Sequence, residues 1–256
     1  MTPEARPAAT VVVLREGQAG PEILMLKRSG RAGFFPHAWV FPGGRVDAAD
    51  TQAQRVGAAY GLPEGDEHFG VAAIRETFEE AGVWMGTGDA SSTLRAALND
   101  RSATLKDAPD LVADLGRLAM WSWWITPVVE PKRYDTRFFV ALLRDSEAKA
   151  AAHDDIETVQ SLWITPRDAL ARSEAGDFFL APPTFRTLEE MADYETGAAI
   201  MSAALERDVR PVMPRLDTTD EGVCIVLPGD ESYPCDTPVE GPTRIEFKQG
   251  RWWSHS

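Results

Sequence analysis

The opening part of the chain alternates short apolar runs with turn residues. The β-branched run at residues 10–15 and the apolar run at 22–28 predict two strands. The turn at 17–21 connects them, so the pair is expected to form a hairpin. A further run at 38–41 predicts a short strand that leads directly into a Gly-Gly pair, where the backbone can approach a ligand closely.

The next segment has the periodicity of an amphipathic helix. Apolar residues recur at helical spacing from residue 71 to residue 81, which predicts a helix that begins at 66 or 67. Glu76, Glu79 and Glu80 stand at positions i, i+3 and i+4, so their side chains share the opposite face of that helix. Gly82 is expected to end it, because a glycine tolerates the left-handed backbone of a helix C-cap.

Strands and helices are mixed along the rest of the chain, which is typical of an α/β protein. Further strands are predicted at 120–129, 137–143 and 158–164. Helices are predicted at 91–100, 107–116, 167–174, 184–194 and 197–207, with a short helix at 53–60 inside a loop-rich insert at 51–70.

The character of the sequence changes after residue 208. Prolines and glycines become frequent, and a hairpin is predicted at 243–253 around Gln249 and Gly250. We therefore expect a main domain at residues 1–208 and a small β-rich extension at 209–256, whose function the sequence does not reveal.

Composition indicates which kinds of partner and which cellular compartment to expect. The 256 residues include 26 basic and 40 acidic side chains, and the net charge of −14 argues against general nucleic-acid binding. No apolar run is long enough for a membrane span, and the N-terminus lacks the pattern of a signal peptide. Cys224 and Cys235 have neither metal-ligand spacing nor a disulfide pattern. A cytoplasmic protein is expected, and a homodimer is one option that the sequence leaves open.

The three glutamates on one helical turn predict a cation site. Like charges at this spacing repel one another, whereas Mg²⁺ prefers a few carboxylates together with substrate phosphates. Arg75 lies four residues before Glu79 and is expected to pair with it, leaving Glu76 and Glu80 free to bind metal. The simpler alternative is a charged helix face exposed to solvent.

This pattern resembles the Nudix box, the sequence motif of the Nudix hydrolases. The matching positions are Gly44, Arg75, Glu76, Glu79, Glu80, Gly82 and Val83. Asp50 stands where the first glutamate of the box is expected, and Thr77 stands at an aliphatic position. Residues 51–74 separate Asp50 from Arg75, where the family has only seven residues, so the box is split by an insert.

A split box that follows Val-Phe-Pro-Gly-Gly is similar to the coenzyme A diphosphatase branch of the family and its bacterial relatives. The resemblance implies an α/β/α sandwich with a mixed sheet, and Mg²⁺ or Mn²⁺ bound by Glu76, Glu79, Glu80 and the carbonyl of Gly44. It also implies hydrolysis of coenzyme A or acyl-coenzyme A to phosphopantetheine and adenosine 3′,5′-bisphosphate. The family's peroxisomal location is not carried over, because the chain lacks a C-terminal S-K-L type address.

The same resemblance suggests further site residues. Arg28, at the end of the second strand, and Arg133, in a later loop, are candidate phosphate ligands. A solvated side chain explains Arg28 equally well, and for Arg133 it is the slightly favoured explanation. Gly43 and Gly44 are expected to face the substrate.

The general base is expected to be either a box glutamate, with Glu79 as the candidate, or an acid in a later loop. Asp154, Asp155 and Glu157 precede a predicted strand where such a loop acid would lie. A solvated acidic turn is the alternative for this segment.

Two other functions stay open at this point. The box itself specifies only a nucleoside diphosphate linked to another group, so NADH or ADP-ribose is an alternative substrate. A module that senses a nucleotide without cleaving it is the second alternative, and the survival of all three helix carboxylates argues against it.

Overall fold

The computed structural model describes residues 3–30, 35–154, 156–219 and 222–255. Its centre is a mixed eight-stranded sheet. Six strands form the main path of this sheet: β1 (Arg6–Gly17), β2 (Gly20–Arg28), β8 (Ala119–Ile125), β9 (Tyr134–Leu142), β10 (Thr158–Ile164) and β11 (Pro211–Val212). Two short strands pair beside this path, β3 (Trp39–Val40) with β2 and β4 (Gly43–Arg45) with β1. The strand order is β10-β2-β1-β9-β8-β11.

The sheet is mixed because its two central strands run parallel. β1 pairs with β9 in parallel register, with Val11 opposite Phe139, whereas β1 and β2 form the predicted antiparallel hairpin. The remaining elements are α1 (Glu67–Ala81), α2 (Ser92–Asn99), α3 (Asp145–Ala148), α4 (Pro166–Ala175), α5 (Pro182–Met191), α6 (Gly197–Glu206) and the short strands β5 (Arg55–Val56), β6 (Gly86–Thr87) and β7 (Val112–Asp114). Among the residues that the structure describes, no helix is long and apolar enough to cross a bilayer.

Side chains of β1 alternate between two hydrophobic cores. Ala9, Val11 and Val13 pack into the core beneath α1. Val12 and Leu14 face the opposite way and pack with residues of α5 and α6. A strand buried on both faces in this manner lies at the middle of a three-layer arrangement, so the predicted α/β/α sandwich is confirmed.

Helix α1 forms where the periodicity predicts it. Gly82 follows it at φ 71°, the left-handed conformation that a C-cap glycine adopts at little cost. Thr77 is fully buried at the position where the motif expects an aliphatic residue. Its hydroxyl donates to the carbonyl of Ala73 at 2.7 Å, which satisfies the polar group inside the core.

Two predicted helices are wrong. The segment at 53–60 contains β5 instead, which pairs in parallel with β7. The segment at 107–116 contains β7 between two turns of 3-10 helix, and β6 pairs on the other side of β7. Burial along residues 111–115 alternates with period two, the pattern of a half-buried strand, so these segments form a small sheet rather than helices.

The C-terminal segment forms a separate four-stranded antiparallel sheet. Its strands are β12 (Arg215–Thr219), β13 (Gly222–Val226), β14 (Arg244–Lys248) and β15 (Arg251–His255). The predicted hairpin is β14–β15, which turns at Gln249 and Gly250. Ile225, Leu227 and Ile245 are buried in the same core as α5 and α6. The extension therefore packs against the main body through a shared hydrophobic core.

Candidate active site

A cavity of about 780 Å³ lies between strand β4, the acidic face of α1 and the C-terminal sheet. Its walls include the four candidate metal ligands predicted from the sequence: Gly44, Glu76, Glu79 and Glu80. The volume lies in the upper part of the range of small-molecule sites, roughly 300–1,000 Å³. The acidic residues of the motif thus face a cavity rather than an open surface, which argues against a merely solvated helix face.

Strand β4 packs closely against β1 at Gly43 and against α1 at Gly44, so neither position has room for a side chain without a shift of its neighbours. A Cβ atom at Gly44 would lie 2.5 Å from the carboxylate carbon of Glu76, and one at Gly43 would lie 2.5 Å from the carbonyl oxygen of Ala9. The backbone N–H of Gly43 donates to Oε2 of Glu80 at 3.0 Å. Gly43 therefore allows the close approach of β4 to β1, and Gly44 allows its approach to α1, which brings the backbone of β4 next to Glu76 and Glu80.

Arg75 connects the two halves of the split motif. Its Nη1 donates to Oε1 of Glu79 at 3.0 Å, the pairing predicted from the sequence. The same nitrogen donates to Oε1 of Glu76 at 2.9 Å, so the expectation that Glu76 stays free of Arg75 is wrong. On the other side, Nη2 donates to the carbonyl oxygen of Arg45 at 2.8 Å. One guanidinium thus fixes both the acidic face of α1 and the strand that crosses it.

Asp50 is a site residue that the sequence indicates only as a departure from the motif. It is completely buried, and its two carboxylate oxygens accept from Nε and Nη2 of Arg75 at 2.8 and 3.1 Å. Such a bidentate pair fixes the plane of the guanidinium. Its position in the motif was the available signal, because it places an acid opposite Arg75 across the insert.

The glutamates carry an electrostatic cost in this arrangement. Burial raises the pKa of Glu76 to about 7; Arg75 lowers the value and the neighbouring Glu79 raises it. Burial, reinforced by the charge of Glu76, raises the pKa of Glu80 well above its ordinary value. The pKa of Glu79 is also raised, chiefly by burial. At neutral pH, a nearby positive charge stabilises the ionised form of carboxyls whose pKa is raised by burial.

The donor set fits a hard dication. Within the described ranges, no three acidic, histidine or cysteine side chains lie together as a preformed metal cluster. Arg75 and the N–H of Gly43 each occupy one carboxylate oxygen of their partners, which leaves every glutamate a second oxygen. Oxygen ligands of this kind suit Mg²⁺ or Mn²⁺.

The structure separates two of the three acids proposed from the later loop, Asp154 and Glu157. Glu157 lines the cavity, and its charge contributes to the raised pKa values of Glu76 and Glu80. Asp154 instead closes its own turn: its carboxylate accepts from the backbone N–H groups of Ile156, Glu157 and Thr158 and from the Thr158 hydroxyl. Asp155 lies outside the described residues. Of the two loop acids among the described residues, Glu157 is the one that lines the cavity, and it stays the candidate base.

This placement gives a test of the two acids. Glu157→Gln should lower kcat by about 10²-fold, the contribution typical of a positioned general base, without changing the melting temperature. Asp154→Asn should retain most of the kcat and lower the stability by about 1 kcal/mol through lost turn hydrogen bonds. Steady-state kinetics and thermal unfolding of both variants measure the two effects. A larger loss of kcat in Asp154→Asn than in Glu157→Gln would assign the base to Asp154.

The two candidate phosphate-binding arginines also differ in whether they line the cavity. Arg28 lines the cavity, and its charge favours the ionised form of Glu80. Its Nε is buried and has no hydrogen-bond partner among the described residues. Arg133 is not among the residues that line the cavity; it donates to the carbonyl oxygens of Thr126 at 3.0 Å and Pro3 at 2.7 Å. The geometry favours Arg28 over Arg133 as a phosphate ligand.

Comparison with known proteins supports this reading of the motif. A family model described as the NUDT19 Nudix domain matches residues 52–191, and a NUDIX domain model matches residues 4–95. The chain is 30% identical over 292 aligned positions to an acyl-coenzyme A diphosphatase NUDT19 from Gallus gallus, covering 90% of this chain and 77% of that protein. The human protein of the same name is 28% identical, with 84% and 72% covered.

A solved structure agrees with the fold. The crystal structure of a NUDIX hydrolase from Alicyclobacillus acidocaldarius superposes with a TM-score of 0.68 at 27% identity, covering 79% of this chain and 97% of that one. The NUDT19 Nudix domain model spans more than half of the chain. Its range contains the whole of α1 with the three glutamates and Arg75. The chain therefore belongs to the Nudix hydrolases, within the family of the NUDT19 Nudix domain.

Proposed function

We propose that this Nudix hydrolase cleaves the diphosphate of coenzyme A and acyl-coenzyme A, producing adenosine 3′,5′-bisphosphate and phosphopantetheine or its acyl thioester. The observation that carries the proposal is a single cavity in which the acidic face of α1, the Gly-Gly backbone of β4 and Arg28 all meet. The relatives named acyl-coenzyme A diphosphatases favour this substrate over other nucleoside diphosphates.

Glu76, Glu79, Glu80 and the carbonyl of Gly44 would hold the Mg²⁺ or Mn²⁺. The cation would supply charge neutralisation of the diphosphate and activation of a water molecule. These residues suit that role because all four line one cavity and burial raises the pKa of each of the three carboxyls. Arg75 orients two of them, and Asp50 orients Arg75 in turn.

Proton transfer and phosphate binding would be carried out by other side chains of the cavity. Hydrolysis forms a bond from a water oxygen to one phosphorus and breaks that phosphorus's bond to the bridging oxygen. Glu157 would accept the proton that the water loses, and the departing phosphate would keep the bridging oxygen. Arg28 would donate its unpaired Nε–H to a phosphate oxygen, which removes the cost of leaving a buried donor unsatisfied.

A panel of substrates tests the proposal. With Mg²⁺ or Mn²⁺ present, we expect kcat/KM on coenzyme A and acetyl-coenzyme A to exceed the values on NADH and ADP-ribose by at least about tenfold, which corresponds to ~1.4 kcal/mol of preferential transition-state binding. Phosphorus NMR of the products identifies the bond that is cut. Equal or faster turnover of NADH or ADP-ribose would reject coenzyme A as the substrate, and no turnover of any member would favour a nucleotide-sensing module.

A further inference from the structure

The C-terminal sheet has one apolar face, defined here as the inner face. The antiparallel register places Leu216 opposite Ile225, and Ile225 opposite Ile245. A second row runs from Thr218 through Val223 and Phe247 to Trp252. Because side chains alternate along a strand, these residues share one side of the sheet. The opposite side carries charged residues such as Asp217, Glu246 and Lys248.

The inner face continues from the hydrophobic core into the cavity. Ile245 is completely buried and Ile225 nearly so, whereas Leu216 and Val223 keep 36% and 38% of their surface exposed. Six residues of this face line the cavity: Leu216, Thr218, Val223, Ile225, Phe247 and Trp252. Part of the inner face is thus an apolar wall that no other described segment of the chain covers fully.

The wall belongs to the same cavity as the acidic face of α1. Glu76 and Glu80 line it together with Phe247 and Trp252. The glutamates lie on α1, which packs on one of the two hydrophobic cores, whereas the wall is part of the other core. The cavity is therefore lined by residues from both sides of the main sheet. A ligand that fills it needs an anionic part for the charged region and a separate apolar part for the wall.

One polar atom in the wall has no partner. The Nε1 of Trp252 is buried, and none of the described residues accepts a hydrogen bond from it. Buried donors are normally satisfied, so a wall residue with a free N–H suits a ligand that carries a carbonyl oxygen along an otherwise apolar chain. An amide or a thioester of an acylated pantetheine arm has that chemistry.

We propose that the inner face of the C-terminal sheet binds the acyl chain of a thioester substrate and selects acyl-coenzyme A over free coenzyme A. This inference rests on the proposed function, because it assigns the remaining part of the same substrate. Burial of each additional methylene against such a wall contributes about 0.8 kcal/mol, roughly fourfold in affinity, where water is fully excluded. Partial exposure of Leu216 and Val223 reduces that gain.

A double variant, Leu216→Ser with Val223→Ser, tests the wall. Both side chains are partly exposed, so the fold should tolerate the change. With the unaltered enzyme we expect kcat/KM to rise from coenzyme A through acetyl- to octanoyl-coenzyme A. The double variant should lose about tenfold on octanoyl-coenzyme A and less than about twofold on free coenzyme A, because only the acyl chain reaches the altered surface. Asp217→Ser, on the opposite side of β12, is the matched control and should leave the whole series unchanged.

The outcomes separate the two proposals. Turnover of coenzyme A without any increase for the octanoyl thioester would overturn the acyl-binding wall and leave the proposed function standing. A double variant that loses equally on all three substrates would also overturn it. If none of the coenzyme A species is hydrolysed while NADH or ADP-ribose is, the proposed function fails first and the acyl-binding wall fails with it. Circular dichroism of each variant confirms that the fold is retained.

Discussion

Glu80→Gln should abolish most dication-dependent turnover, by on the order of 10²–10³-fold, while the protein remains folded. Glutamine removes the negative charge but keeps the carbonyl oxygen that accepts from the N–H of Gly43. The close approach of β4 to α1 is therefore preserved. Initial rates with saturating Mg²⁺, compared with the unaltered enzyme, measure the loss.

The same variant should be more stable than the unaltered protein at alkaline pH without dications. A carboxyl whose pKa is raised on folding binds more protons in the folded state, so stability falls as the pH rises from the ordinary value towards the raised one. For Glu76 that window runs from about 4.5 to 7, and the pKa of Glu80 is raised in the same direction. Glu80→Gln removes its own part of this loss.

Thermal unfolding at pH 5 and pH 8, with EDTA and with Mg²⁺, separates these effects. Each kcal/mol of added stability should raise the melting temperature by roughly 2–4 °C in a chain of this size. We expect the variant to exceed the unaltered protein at pH 8 in EDTA, and Mg²⁺ to stabilise the unaltered protein more. Unchanged turnover in Glu80→Gln, or a melting temperature at pH 8 below that of the unaltered protein, would contradict the site as described.

Asp50→Asn should destabilise the protein by about 3 kcal/mol, because it removes the charge of the bidentate partner of a buried guanidinium and leaves only Glu76 and Glu79 to compensate it. Asp50 is completely buried and Arg75 is 5% exposed, and two hydrogen bonds join them. Asparagine retains the shape but lacks the charge. The variant should also lose activity, because Arg75 no longer holds Glu76 and Glu79 in fixed positions.

Asp47→Asn is the matched control for this variant. Asp47 lies 4.0 Å from Nη2 of the same arginine, but 62% of its side chain is exposed. Exposed ion pairs contribute little, so we expect a change of less than about 0.5 kcal/mol. Urea unfolding of both variants compares the two aspartates directly. Similar free energies of unfolding for Asp50→Asn and Asp47→Asn would show that burial does not set the strength of this pair.

The local pattern was sufficient for the elements that depend on neighbours in sequence. Helix α1 follows from apolar residues at helical spacing and from Gly82, and the β1–β2 hairpin follows from two strands joined by a tight turn. The small sheet formed by β5, β6 and β7 could not be predicted in this way, since β5, in the insert, pairs with β7 more than fifty residues later. Pairing over such a distance depends on tertiary contacts and overrides weak helix propensity.

The same distinction between local and distant contacts decides which parts of the candidate site could be predicted. The glutamates and the Arg75–Glu79 pair could be predicted because their spacing on one helix fixes their geometry. The partnership of Asp50 with Arg75 spans the insert, so the motif alone could only indicate it. The cavity wall formed by Phe247 depends on how distant segments come together, and nothing in the local sequence fixes that. The turn closed by Asp154 is local, because its carboxylate accepts only from residues two to four positions later, but the sequence did not show that this acid would be used for the turn.

The core shared between the extension and the main body limits how such an enzyme can be shortened or altered. Ile225, Leu227 and Ile245 occupy the same interior as Trp121 and Phe138. A chain cut at residue 208 would open that interior to water, so it should aggregate rather than yield a smaller hydrolase. Substrate range is therefore better redirected by single substitutions on the extension than by deleting or exchanging it.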